Sequence, residues 1–205
     1  MINETIGALL QVLIFTLIPF LVYFIKKKSA KGFLEYIGLK KSTQKANYLA
    51  VLACLVIAAP IFILTLASPD FKEIMVDPTS ITGKFRQMGL GFNSLIILLL
   101  IAVFKTSFAE EVLFRGFIGK RLINLLGFQK GNLLQALIFG IIHTALFAVI
   151  TANILFLTLI FILPSIGAYI SGYLNEKLAN GSIIPGWISH ALANILAYSF
   201  IGFFM

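Results

Sequence analysis

Charge is what this chain has least of. Of 205 residues, 12% are Asp, Glu, Lys or Arg, and only eight are acidic. Soluble domains carry about 25% charged residues, so a soluble globular domain is excluded as the main architecture. The one cysteine, Cys54, rules out an intramolecular disulfide. Its place inside an apolar block suits a small core residue. Lysine and arginine are absent from residues 1–10, and the first apolar block is too long for a signal core. That block is read as a retained span rather than a cleavable signal. The sequence holds no internal repeat, no low-complexity tract and no HExxH zinc motif.

What is present in excess is apolar: 60% of the chain is hydrophobic. The excess falls in blocks of the length a bilayer requires, about 20 residues. Six are recognisable, at roughly 5–25, 48–67, 93–118, 133–150, 152–174 and 183–204. The expected fold is all-α, a polytopic transmembrane helix bundle of about six spans. It forms one integral membrane domain over 1–205. Residues 93–205 form its motif-bearing core, and 1–92 supply two N-terminal spans with a basic linker.

The net charge of +8 is unevenly placed. Loops one, three and five hold Lys26, Lys27, Lys28, Lys31, Lys40, Lys41, Lys45, Lys120, Arg121, Lys130 and Lys177. Loops two and four hold only Lys72, Lys84 and Arg86, offset by Asp70, Glu73 and Asp77. The positive-inside rule puts the first set in the cytoplasm and both termini outside. The implied partner of the basic patch is anionic lipid rather than nucleic acid. Within linker 26–47, GFLEYIGL is apolar enough to lie at the membrane surface, while 68–92 makes one long external loop. Pro60 and Pro164 fall within spans and are expected to kink them. Pro185 suits a first helical turn, and Trp187 an interfacial position.

Against this background FAEEVLFRGF, residues 108–117, stands out. Ionisable groups inside spans cost several kcal/mol and usually mark function. Glu110 and Glu111 are the only adjacent carboxylates, and both histidines, His143 and His190, also lie within apolar helices. Counted at 1.5 Å per residue, all four lie roughly 10–17 Å below the cytoplasmic surface. One polar pocket open to that side is the economical reading. In an α-helix Glu111 and Arg115, at i and i+4, share a face and can pair. Glu110 lies about 100° from Glu111, unpaired and desolvated, as suits a general base. His190 and Asn194 share a face and can donate hydrogen bonds to a developing oxyanion. His143 can share a proton with Glu110 or orient water, and Phe139 walls the pocket. Lys105, two turns before Glu110, suits packing on the external side better than the site. Two His and two Glu also permit a metal: Glu110, His143 and His190 with water would make a catalytic zinc set. Spacing alone does not choose between metal-bound water and glutamate-activated water.

Three motifs now stand in order on successive helices. EEVLFR (110–115) fits E-E-x-x-x-R, FGIIH (139–143) fits F-x-x-x-H, and HALAN (190–194) fits H-x-x-x-N. Together they resemble the CPBP family of intramembrane proteases, which includes the CAAX prenyl endopeptidases and the bacterial Abi proteins. The resemblance covers roughly 93–205. It implies hydrolysis of a peptide bond of a membrane-associated peptide or lipidated protein. Glu110 with His143 would activate water, and His190 with Asn194 would form the oxyanion hole. Glu111 and Arg115 would brace the first motif. No cofactor is required on the glutamate mechanism; zinc is the alternative. The chain has six spans where eukaryotic members have eight, and no prenyl-binding signature is recognisable.

Two other functions fit the same sequence. A non-catalytic immunity or partner protein would use the motifs for packing, and its bacteriocin protection would survive Glu110→Ala. A proton-coupled transporter would relay protons through Glu110 and the histidines, and would show proton-driven uptake in liposomes. The absence of an inverted repeat weighs against the transporter.

Overall fold

The computed structural model describes residues 2–205 as helices joined by short connections, with no strand among the described residues. Six helices are long and apolar enough to cross a membrane. They are α1 (Ile2–Lys27), α3 (Gln44–Ala67), α6 (Phe92–Leu126), α7 (Phe128–Ala148), α8 (Ile154–Leu178) and α9 (Ile184–Phe204). The protein is a multi-pass all-α membrane bundle. The short helices α2 (Phe33–Tyr36), α4 (Pro69–Met75) and α5 (Ile81–Met88) lie in the connections.

Small residues set how closely the long helices approach. In α3, Ala46, Ala50, Cys54 and Ala58 recur every fourth residue and are all buried. That stripe packs against α9, with Ala58 and Cys54 meeting Ala193. Helices in lipid gain no hydrophobic drive from each other, so small side chains earn their place by admitting close contact. Cys54 is therefore the small core residue expected. Buried amides join α7 to α8: Asn132 Nδ2 donates to the Tyr169 carbonyl and Gln135 Nε2 to that of Ala168, each at 3.0 Å.

The two N-terminal spans belong to the same core as the rest. From α1, Phe15 packs on the cluster of Phe114, Ala136 and Phe139. Tyr23 packs with Phe33, Ile37, Val112 and Ile183. The last cluster includes part of GFLEYIGL. Its Phe33 and Ile37 are buried against Val112 and Ile183, while Leu34 stays exposed. Burying these two side chains in protein also satisfies the backbone: Ile183 N–H donates to the Gly38 carbonyl at 2.9 Å.

The basic linkers converge at this end of the bundle. Lys120 Nζ meets Glu176 Oε1 at 2.6 Å and the Gly181 carbonyl at 2.7 Å. The Arg121 guanidinium lies 3.5 Å from the centre of the Tyr36 ring. Thr43 Oγ1 donates to the Leu178 carbonyl at 2.8 Å. Loops one, three and five thus share one end, as alternate loops must. At the other end α5 seats Phe85 against Tyr198 and Phe203 of α9. There Asp77 Oδ1 accepts from the side chain and backbone of Thr79, which holds its carboxyl below the usual aspartate range.

Winding is the main departure from the expected helices. Leu100–Phe108 and Glu111–Gly119 of α6, and Leu174–Leu178 of α8, are π-wound. π segments are rare and concentrate at functional sites. Pro60 and Pro164 lie inside continuous helices, and Pro185 lies in the first turn of α9. Trp187 is not merely interfacial: its Nε1–H donates to the Val103 carbonyl at 2.8 Å, within the first π segment.

Candidate active site

The site lies where the second π segment of α6 meets α7 and the first half of α9. Glu111 is fully buried, with Oε1 3.2 Å from Arg115 Nε and 3.3 Å from His190 Nδ1. The expected Glu111–Arg115 pair is present, despite the π winding. Glu111 does more than brace its own helix, because it also holds His190 on α9. A carboxylate oxygen can only accept, so His190 Nδ1 carries the proton and Nε2 is left to face inward. Glu110 Oε2 stands 3.8 Å from that Nε2. The His190 ring is thus bracketed by the two glutamates, one at each nitrogen.

The first turn of α9 lies against Glu111. The Gly186 N–H, in the first turn, donates to Asn175 Oδ1 at 2.8 Å. Gly186 has no Cβ, so the Glu111 carboxylate can come up against the positive end of the α9 dipole. A Cβ there would collide with Glu111 Oε2 and lie 2.7 Å from Asn175 Nδ2. Gly186→Ala is therefore expected to push Glu111 away from His190. The overpacking costs about 1–3 kcal/mol, read as a lower melting temperature in detergent. An unchanged melting temperature would mean that the first turn of α9 yields instead.

His143, on α7, has Nδ1 2.9 Å from the Phe139 carbonyl. A carbonyl also only accepts, so Nδ1 carries a proton and Nε2 is the nitrogen left for other partners. The ring packs on Phe139 at 4.2 Å between centroids and lies within electrostatic range of Glu110 and His190. Phe139 is the common wall. It carries the Arg115 guanidinium 4.1 Å from its ring centre and meets His190 edge-on. Asn194 Nδ2 lies 3.0 Å from Thr106 Oγ1 and 3.2 Å from Ser107 Oγ. Lys105 is elsewhere, 3.5 Å from Glu4 Oε2.

A cavity of about 110 Å³ joins these groups. Arg115, Phe139, His143, His190 and Asn194 line it, with Ile57 and Ile61 of α3 and Leu163, Pro164 and Ser171 of α8. Glu110 is not part of the lining and approaches the site through His190 Nε2. Several buried polar atoms there have no hydrogen-bond partner: Glu110 Oε2, Glu111 Oε2 and Arg115 Nη1. Buried polar groups are paired in more than about 90% of cases, so the unpartnered Arg115 nitrogen, on a residue that lines the cavity, leaves hydrogen-bonding capacity there for a ligand. Among the described residues no three His, Cys, Asp or Glu side chains are grouped so as to hold a metal ion. The zinc set of Glu110, His143 and His190 does not fit this arrangement, and no step below runs through a metal.

Sequence reasoning missed Thr106 and Ser107, and the contribution of α3 and α8. Thr106 and Ser107 lie four and three residues before Glu110, a signal open to the same spacing argument. Ile57 and Ile61 carry no sequence signal, since an apolar residue facing a cavity looks like any other in a span.

Comparison with known proteins places these features in a family. No curated protein and no solved structure matches the chain. Residues 92–196 match the family model described as type II CAAX prenyl endopeptidase Rce1-like. The matched stretch runs from the start of α6 into α9 and contains all three motifs and every polar residue of the cavity. It covers just over half of the sequence, and the chain belongs to the type II CAAX prenyl endopeptidase Rce1-like family.

Proposed function

We propose that the protein is an intramembrane endopeptidase that hydrolyses a peptide bond of a membrane-associated peptide or lipidated protein by glutamate-activated water. The observation that carries this reading is the buried, unpartnered Glu110 Oε2, 3.8 Å from Nε2 of His190, which lines the cavity. A carboxylate oxygen with a free lone pair can take a proton from water. His143, its Nδ1 held by the Phe139 carbonyl, orients that water through Nε2 or shares its proton. The hydroxide adds to the scissile carbonyl carbon, and the carbonyl oxygen takes the negative charge. His190, its Nδ1 held by Glu111, can donate from Nε2 to that oxyanion. Glu110 then returns the proton to the leaving amine as the carbon–nitrogen bond breaks. Glu111 and Arg115 hold His190 in place, and Phe139 keeps the wall rigid. No cofactor enters the scheme.

The basic end, shared by loops one, three and five, faces the cytoplasm on this reading, with both termini outside. The positive-inside rule supports it. Single cysteines introduced at Lys41 and Lys84 in a Cys54→Ala background test it. A membrane-impermeant thiol reagent applied to intact cells should label the second and spare the first; the reverse pattern would invert the topology.

Activity is tested with purified protein in detergent, presented with a quenched fluorescent peptide library and compared with Glu110→Gln. Cleavage by wild type that is lost in the variant supports the reading. Equal cleavage by both would sink it.

A further inference from the structure

Asn175 belongs to the π-wound end of α8 and is 1% exposed. The next residue, Glu176, pairs with Lys120, whereas Asn175 meets the first turn of α9. There its Oδ1 accepts the Gly186 N–H at 2.8 Å. A backbone N–H can only donate, so the carboxamide has one orientation and Nδ2 is its other end. Nδ2 carries two hydrogens, is buried and has no acceptor. Glu111 Oε2 is the converse, a buried acceptor without a donor. Arg115 Nε and His190 Nδ1 both lie on the other oxygen, Oε1. The two unpaired atoms are neighbours at the missing side chain of Gly186. A Cβ there would collide with Glu111 Oε2 and stand 2.7 Å from Asn175 Nδ2. Buried donors and acceptors left alone are costly, and here one of each adjoins a single point of the bundle.

We propose that Asn175 is a positioning residue for hydrolysis: its Nδ2 group is the donor for Glu111 Oε2, and through that carboxylate it sets the His190 ring. This rests on the hydrolytic reading above and adds a helix to it, since α8 carries none of the three motifs. A carboxylate is planar, so fixing Oε2 fixes Oε1 as well. Oε1 meets His190 Nδ1 at 3.3 Å, and the placing of Nδ1 decides where Nε2 points. The connection leaves α9 at the Gly186 N–H, passes through Asn175 of α8 and Glu111 of α6, and returns to α9 at His190. Gly186 and His190 are four residues apart, on one face of that helix. The ring is thereby held in register with its own backbone by two other helices. Misplacing an aligned group by about 1 Å costs on the order of 100-fold in rate, so this link bears on turnover rather than on substrate affinity.

The test uses the full chain in detergent, with two readouts and a melting temperature for each variant. One readout is kcat and KM on the best-cleaved peptide of the quenched fluorescent library. The other is the ring-nitrogen NMR signal of His190 in protein carrying isotope-labelled histidine, told apart from His143 by a His143→Gln control. Asn175→Leu keeps the shape and removes the amide. We expect kcat to fall about 10- to 100-fold with KM near wild type, and the His190 signal to move. Glu111→Gln changes what Asn175 faces. Its Oε1 still accepts from His190 and Arg115, so its NH2 group takes the place of Oε2 and meets the NH2 group of Asn175. In that background Asn175→Leu relieves a clash of donors, and should cost at least about tenfold less kcat than it does alone and hardly move the His190 signal. A residue that only packs would cost the same in both backgrounds. Equal losses, or an unmoved His190 signal in Asn175→Leu, would overturn the proposal and assign Oε2 to Arg115 Nη1, the other unpartnered donor there. Asn175→Ala, smaller and easier to seat, replaces Asn175→Leu if that variant does not fold. If Glu110→Gln cleaves as well as wild type, the hydrolytic reading falls, while the NMR comparison still decides whether Asn175 sets His190.

Discussion

Glu110→Gln is expected to lower kcat by about 10³ while leaving KM and the melting temperature near wild type. General-base catalysis contributes about 10²- to 10⁴-fold, and the substitution removes the base without changing its shape. Stability should hold because Glu110 Oε2 has no hydrogen-bond partner to lose. His190 Nε2 is 3.8 Å away, beyond a direct hydrogen bond. A glutamine there still fills the same volume beside the α9 helix. The measurement is steady-state cleavage of a library peptide by detergent-purified protein, alongside thermal unfolding. A kcat within tenfold of wild type would shift the base to another group, with His143 the next in line. A large fall in melting temperature would instead assign Glu110 to the scaffold.

Arg115→Met is expected to destabilise the bundle by about 3–5 kcal/mol, the cost of leaving one member of a buried ion pair uncompensated. Arg115 and Glu111 have side chains 3% and 0% exposed, with 3.2 Å between Nε and Oε1, so solvent does little to screen either. Methionine retains the bulk of the aliphatic stem and removes the guanidinium, with its pairing to Glu111 and its place over the Phe139 ring. Glu111→Gln in the same background should recover a substantial part of the loss, because the stranded carboxylate is then gone. A double-mutant cycle by chemical unfolding in detergent reads the coupling directly. A single-variant loss below about 1 kcal/mol would mean that the pair behaves as an exposed one, and that water reaches Glu111. Activity should fall as well, since Glu111 also aligns the His190 ring through Nδ1.

The fold was legible because lipid leaves few choices. A backbone in hydrocarbon must satisfy its own hydrogen bonds, so an apolar run of about 20 residues is a helix. Six such runs made six spans. Boundaries moved by a few residues, most at the end of α6, which continues to Leu126 beyond the apolar block ending at 118. The site was legible for the same reason. Glu110, Glu111, Arg115, His143, His190 and Asn194 are polar where polarity is costly, and each exception stood out against its span. Their gathering around one wall also followed from depth, since helices of known direction bring equal depths together.

Residue type and spacing, then, told which segments cross the membrane, which alternate loops share an end, and which polar side chains lie inside. Packing between helices decided the rest. It bent the winding of α6 into π segments, which no composition announces, and so aimed Thr106 and Ser107 at Asn194. It gave Glu111 a second partner, His190, 79 residues away. It brought Ile57 and Ile61 to the cavity and drew Ile37 beneath Val112. The physical reason is one of range. Burial and helix formation are decided locally, by how each residue partitions between lipid and water. Hydrogen-bond direction and cavity shape depend on atoms brought together from distant helices, and exist only once the bundle has closed.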